Sequence, residues 1–280
     1  MGNKSSISMN VFDQIMNVAQ ENDAHVDELV SRYIQERFIY RLSVSSYQDQ
    51  FWVRGDSLLV ALTNGFIKQP QEISLTAKPI AQKISMMKHA FQEICGIELL
   101  EDGVVFLGSE IEISLKKDMI HLKIPATLSH ISTYIIVTIR FTEIIPLAPK
   151  TIVFQSLLET TSPVLVTASA EFALAEQFVE MYQYPTLETT IKAFYDVFAV
   201  LKTQKIEGRV LQQCIIEMFD CQRLILERNH PLFMKQLADQ TVAFVEIIKQ
   251  VQRFFRPVYE VLLNEDEFFK RWDCEYQIWQ

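Results

Sequence analysis

FWVRGDSLLVALTNGFIKQPQEISL, residues 51–75, reads as a short apolar strand, a glycine turn, an apolar helix, a loop and a second short strand. Ser57 to Leu62 is apolar without strict alternation, which predicts a helix behind the Arg54-Gly55-Asp56 turn. Small residues after a strand let a helix N-terminus approach a phosphate, so this layout suits a nucleotide-handling site. Nucleotidyl transfer asks more of it. Two Mg²⁺ ions, held by carboxylates on neighbouring strand positions, must neutralise a triphosphate and activate a hydroxyl. The second strand offers Glu72-Ile73-Ser74, which is one carboxylate and one hydroxyl.

Outward from this stretch the chain changes character twice. Residues 8–42 read as helices, with Phe12, Ile15, Met16 and Ala19 on one apolar face. Val26, Leu29, Val30, Tyr33, Ile34, Phe38 and Ile39 continue the pattern after a polar break. Ile80 to Ile94 is expected to form a further helix. Residues 104–145 are rich in β-branched residues and alternate in VVFLGSEIEISL, MIHLKIPATL and TYIIVTIRFTEII, as strands do. Pro146, Pro149 and Pro163 mark a linker running to about residue 167, and helical patterns follow, with Pro257 expected to break or kink the last of them. The expected class is α+β, with an α/β domain over 1–165 and a helical domain over 166–280.

Composition excludes several alternatives. The net charge of −9 argues against a broad nucleic-acid-binding surface. With 7 glycines and no GxGxxG or GxxxxGK[ST], a Rossmann or P-loop site is not expected. The cysteines Cys95, Cys214, Cys221 and Cys274 form no CxxC pair and read as reduced, buried and cytosolic. The five histidines show no metal-ligand spacing. No apolar run is long enough to span a membrane. MGNKSSIS at the N-terminus fits the pattern for myristoylation at Gly2, but Ser6 and Ser8 read more simply as helix N-cap residues before MNVFDQIMNVAQ.

Taken together, several segments resemble the AbiEii/AbiGii toxin family. YIQERFIYRLS (33–43), with the strand and Arg54-Gly55 turn that follow, looks like that family's ERFLYRLS-type opening. FQEICGIELLEDGVVF (91–106) is similar to its next helix and DDGLVF-type strand. RFTEIIPLAP (140–149), SLLETTSPVL (156–165), SAEFALAEQF (169–178) and IKAFYDVF (191–198) follow in the family's order. The resemblance implies a polymerase-β-like nucleotidyltransferase core, a mixed sheet flanked by helices, followed by a helical C-terminal half. It also implies a toxin–antitoxin or phage-defence setting with an antitoxin partner.

The departures are as specific as the matches. Where the family reads RPTRDIDL this chain reads KQPQEISL, so the first aspartate is replaced by Glu72 and the second by Ser74. The third carboxylate aligns with Thr138, and the nearest acid, Glu143, matches a different position. The AEK lysine is Gln177. What survives is Gly55, Ser57, Glu72, Glu176, Lys192 and Asp196, with Arg54 in place of a lysine. The resemblance therefore implies Arg54, Gly55 and Ser57 as nucleotide-binding residues and Glu72, Lys192 and Asp196 as catalytic candidates.

Three readings follow. One carboxylate in place of three points to an impaired enzyme acting as a binding or regulatory module, holding a nucleotide, an RNA or a protein partner without a firm cofactor. An active enzyme would use Mg²⁺ and an NTP, with Glu72 and Asp56 as metal ligands; Asp56 also suits a helix N-cap, and Lys192 with Asp196 suits an i, i+4 ion pair. A structural subunit would dock through FFKRWDCEYQIW (268–279), which otherwise reads as a terminal helix packed on its own domain.

Overall fold

The alternation of residues 104–141 is realised as four strands of one sheet. The computed structural model describes residues 2–63, 67, 70–77, 84–116, 119–141, 149–184, 187–234 and 242–280. These fall into two units: residues 1–57, 68–143 and 151–167, and residues 58–67, 144–150 and 168–280.

The first unit holds helices α1 (Gly2–Glu21), α2 (Val26–Ser43) and α4 (Ile84–Cys95), and the start of α3 (Gly55–Leu62), whose later residues belong to the second unit. Its sheet contains β1 (Phe51–Val53), β2 (Glu72–Ala77), β3 (Val104–Phe106), β4 (Glu112–Lys116), β5 (Met119–Leu128) and β6 (Ile131–Phe141). The order is β1-β2-β6-β5-β3, with β4 also pairing β5. Only β2 and β6 run parallel; the other pairs are antiparallel. One face is apolar: Ile73, Leu75, Ile120, Leu122, Ile124, Ile135, Val137 and Ile139 are almost wholly buried. Helices α1 and α2 pack against β5, α2 also against β6, and α4 packs on α2. Phe91 of α4 stacks on Phe38 of α2 and meets Phe51 of β1 edge-on. Aromatic contacts of this kind add to their area burial.

The proline-marked linker contains a β-ribbon, β7 (Lys150–Val153) with β8 (Val164–Thr167). Helix α2 grips its loop. Glu36 accepts from Leu157 N–H at 2.7 Å, and Arg37 donates to Thr161 C=O at 2.9 Å and to Glu36. Arg41 supports the edge strand β3 by donating to Val104 C=O at 3.0 Å. The charged residues of the ERFIYRLS segment are thus buried scaffold: Glu36, Arg37 and Arg41 are 6%, 2% and 2% exposed.

Ser6 and Ser8 are not N-caps, because α1 begins at Gly2 and both lie inside it. Ser8 instead ties α1 to the sheet: its hydroxyl donates to Gly103 C=O at 2.9 Å and accepts from Ser129 N–H. Gly103 has φ +64°, and a Cβ there would stand 2.7 Å from Ser8 Cα, so the close approach of α1 requires glycine.

The second unit is mainly helical: α5 (Ala170–Gln183), α6 (Leu187–Thr203), α7 (Gly208–Gln222), α8 (Pro231–Met234) and α9 (Val242–Leu263). Phe178 is central to its core, with Phe219, Phe233, Phe255, Tyr182 and Tyr259 around it. Two expectations are corrected here. The break expected at Pro257 does not occur: helix α9 continues through it. Phe254, Phe255, Val258 and Tyr259 on either side are buried, and that packing offsets the roughly 3 kcal/mol a helical proline costs.

The C-terminal stretch is not a helix. It forms β10 (Arg271–Asp273) and β11 (Ile278–Trp279), which join β9 (Ile206–Glu207) in a three-stranded sheet. Trp272 is buried and donates to Leu201 C=O at 3.0 Å, while Trp279 donates to Phe254 C=O at 2.9 Å. Antiparallel pairing of β10 with β11 sets Trp272 directly opposite Trp279, so both indoles share one face of this small sheet.

The cysteine expectation is corrected in part. Cys95 and Cys214 are buried, and burial pushes each thiol up to about 12. Cys221 is exposed and Cys274 half-buried. All four are free. Among the described residues no helix is long and apolar enough to cross a membrane.

Candidate functional site

The turn at the end of β1 is stitched to β2 on both sides. Gly55 has φ +55°, a left-handed conformation that favours glycine, and sits against Ser74, whose Cβ is 3.6 Å from where a Gly55 Cβ would be. Arg54 N–H donates to Ser74 C=O at 3.0 Å. The buried Ser57 hydroxyl donates to Glu72 C=O at 3.3 Å and accepts from Ser74 N–H at 3.2 Å. Ser57 therefore spans Ile73 and locks the first turn of α3 onto the strand. Asp56 lies in that first turn, inside the helix and not at its N-cap, where a negative charge is favoured by the helix dipole.

Strand alternation puts Glu72 and Ser74 on one face of β2 and the buried Ile73 and Leu75 on the other. The parallel register then sets Glu72 beside Ile136 and Ser74 beside Thr138 of β6. Thr138 is 6% exposed, and its hydroxyl donates to Ser74 Oγ at 3.4 Å. On the other side of Thr138, β5 places His121 directly opposite it. The first unit thus brings Gly55, Ser57, Glu72, Ser74 and Thr138 together around one strand crossing. Glu143 lies outside the described residues.

Lys192 and Asp196 belong to the second unit. They form an ion pair on α6, with Lys192 Nζ 2.5 Å from Asp196 Oδ2. Asp196 is 5% exposed along its side chain and Lys192 61%, so the lysine reaches over a buried carboxylate. Phe194 and Val197 beside them are buried, and Tyr195 stacks on Phe244. On α5, Gln177 is buried and Glu176 half-buried.

Sequence reasoning missed Glu171, five residues before Glu176. It is 1% exposed in the first turn of α5. One carboxylate oxygen accepts from Glu207 N–H at 3.0 Å and the other lies 3.7 Å from Lys150 Nζ. An acid two residues after the N-cap Ser169 was the available signal.

Hard divalent cations take charged oxygen ligands. At the β2–β6 crossing the facing groups are two neutral hydroxyls already bonded to each other, with Glu72 as the one strand carboxylate. Among the described residues no group of three or more His, Cys, Asp or Glu side chains is placed to hold a metal ion. Among the described residues the donor set does not fit a two-ion centre. The first unit also has an open pocket of about 640 Å³, lined by residues that include Arg41, Cys95, Leu99, Phe106 and His130 and none of the strand-crossing residues. Arg41 spends all its N–H donors on carbonyls and Asp102, so it offers a phosphate nothing.

A glycine turn leading into a helix, stitched to a strand of a mixed sheet with helices packed on it, defines an α+β protein. A family model described as nucleotidyl transferase AbiEii toxin, type IV toxin–antitoxin system, matches residues 37–272, and the chain belongs to that family. Among solved structures, JHP933 from Helicobacter pylori is 10% identical, with a TM-score of 0.49 over 85% of this chain and 94% of its own. A provisionally assigned nucleotidyltransferase from H. pylori is 9% identical, with a TM-score of 0.48 over 86% and 99%. No curated protein matches the chain.

Proposed function

We propose that this chain is an AbiEii-family protein whose two-ion chemistry has been lost and which acts as a binding or regulatory module in a toxin–antitoxin or phage-defence system. The observation that carries the reading is the Ser74–Thr138 hydroxyl pair at the β2–β6 crossing. Both positions are those where resemblance to the family calls for aspartates. Facing aspartates repel each other and need a cation between them, whereas facing hydroxyls satisfy each other without one. The turn survives: Gly55 keeps its left-handed conformation and Ser57 its hold on β2. Arg54, Gly55 and Ser57 are the residues proposed to hold a nucleotide or RNA phosphate weakly, and Lys192 with Asp196 is proposed as a retained ion pair with no catalytic step to perform. The family's type IV toxin–antitoxin description supports an antitoxin as protein partner.

The test is label transfer. Purified protein is incubated with each radiolabelled NTP, total RNA and Mg²⁺ or Mn²⁺, beside a Glu72→Ala variant. The expected result is no transfer from either protein. Transfer that Glu72→Ala abolishes would overturn the reading and make Glu72, with Asp56, a ligand of a working enzyme.

A further inference from the structure

Strand β4 lies at an edge of the first unit's sheet and, among the described residues, pairs with β5 alone. Its sequence is Glu112-Ile113-Ser114-Leu115-Lys116. Four of these five residues are exposed, and Leu115 is 58% exposed, an unusual state for a leucine in a sheet. Antiparallel pairing with β5 uses the N–H and C=O groups of every second residue and leaves the others pointing outward along the edge. Such an edge is a template for another strand unless something blocks it. β4 holds no proline, and its two charges stand at its ends, with opposite sign.

That arrangement is self-complementary. Laid antiparallel against a second copy of itself with Ser114 at the centre, Glu112 faces Lys116 of the other copy at both ends. Ile113 faces Leu115 twice, which places four apolar side chains on one side of the new pair. Opposite charges directly across an antiparallel pair stabilise it and like charges destabilise it. Shifting the register by one residue in either direction loses both charge matches. A strand of this length covers less area than a stable dimer interface needs, so the association is weak and concentration-dependent.

We propose that the protein self-associates through β4, two chains joining their sheets edge to edge about a two-fold axis at Ser114. The partner is a second copy of this chain, since the charge order of β4 matches its own reversed.

Sedimentation equilibrium over a concentration series tests this with the full chain. The variants are Glu112→Lys, which carries lysine at both ends of β4, and Lys116→Glu, which carries glutamate at both. Glu112 also lies 3.7 Å from Lys123, an exposed pair whose loss the fold tolerates, and circular dichroism confirms each variant folded. The wild type is expected to shift from the mass of one chain toward two as concentration rises. Each variant alone should stay at one chain, because like charges then face each other. An equimolar mixture of the two should dimerise again, since every facing pair is once more opposite in charge. A wild type that remains at one chain mass at the highest concentration overturns the proposal. So do variants that dimerise like the wild type, or a mixture that stays monomeric.

Discussion

Replacing Arg41 with alanine is expected to destabilise the protein by about 3–5 kcal/mol, because it strands a buried carboxylate. Arg41 grips Asp102 with two nitrogens, at 2.6 and 3.2 Å, and Asp102 has no exposed surface. The same guanidinium donates to the carbonyls of Arg37, Ile97 and Val104 at 3.0–3.1 Å. Asp102 in turn accepts from Val104 N–H at 3.0 Å. The pair thus satisfies the N–H and C=O of Val104, at the start of edge strand β3, in place of a further strand. It also holds the Tyr33 neighbourhood together: Tyr33 donates to Asp102 C=O, and burial, with the nearby carboxylate, pushes its phenol well above the usual range. Arg41→Lys keeps the charge but loses the fork, and should cost about half as much. Denaturant unfolding of the three proteins checks both the size and the order. A loss under about 1 kcal/mol for Arg41→Ala would mean the pair is no more than a surface ion pair in effect.

The second large effect is a gain. The double variant Ser74→Asp, Thr138→Asp places two carboxylates on facing residues of β2 and β6, next to Glu72 on the same face. In chelator this variant should be less stable than the wild type by about 3 kcal/mol, the cost of like charges at a largely buried position. Mn²⁺ should restore much of that loss, because an ion bound only by the folded state stabilises it by about 2.7 kcal/mol at a hundredfold excess over its Kd. Thermal unfolding with and without Mn²⁺ reads both arms. The wild type should show no such dependence, since its hydroxyl pair presents no charge for an ion to neutralise. Equal Mn²⁺ stabilisation of both proteins would place the ion elsewhere.

The strand, turn and helix of residues 51–62 were legible because each is a local signal: a β-prone triplet, a glycine at a left-handed turn, an apolar run. The long strands β5 and β6 were legible from their alternation for the same reason. The motif residues Glu36, Arg37 and Arg41 were recognisable, but their role was not, because their partners Leu157, Thr161 and Asp102 lie 61 to 124 residues away. The C-terminal strands were hidden for a like reason. Trp272 is held by Leu201 and by pairing with Ile206, contacts that no local period announces. At the site, the replacement of acids was an expectation carried by the resemblance to the family's motifs. That Ser74 and Thr138 face and bond each other needed the parallel register of β2 on β6.

Electron paramagnetic resonance of Mn²⁺ titrated with the wild-type protein tests the central claim most directly, that the strand crossing no longer holds catalytic ions. The spectrum should remain that of the free aqueous ion as protein is added, and Glu72→Ala should leave it unchanged. Loss of the free-ion signal at stoichiometric protein, reversed by Glu72→Ala, would contradict it and make this a metal-binding member of its family.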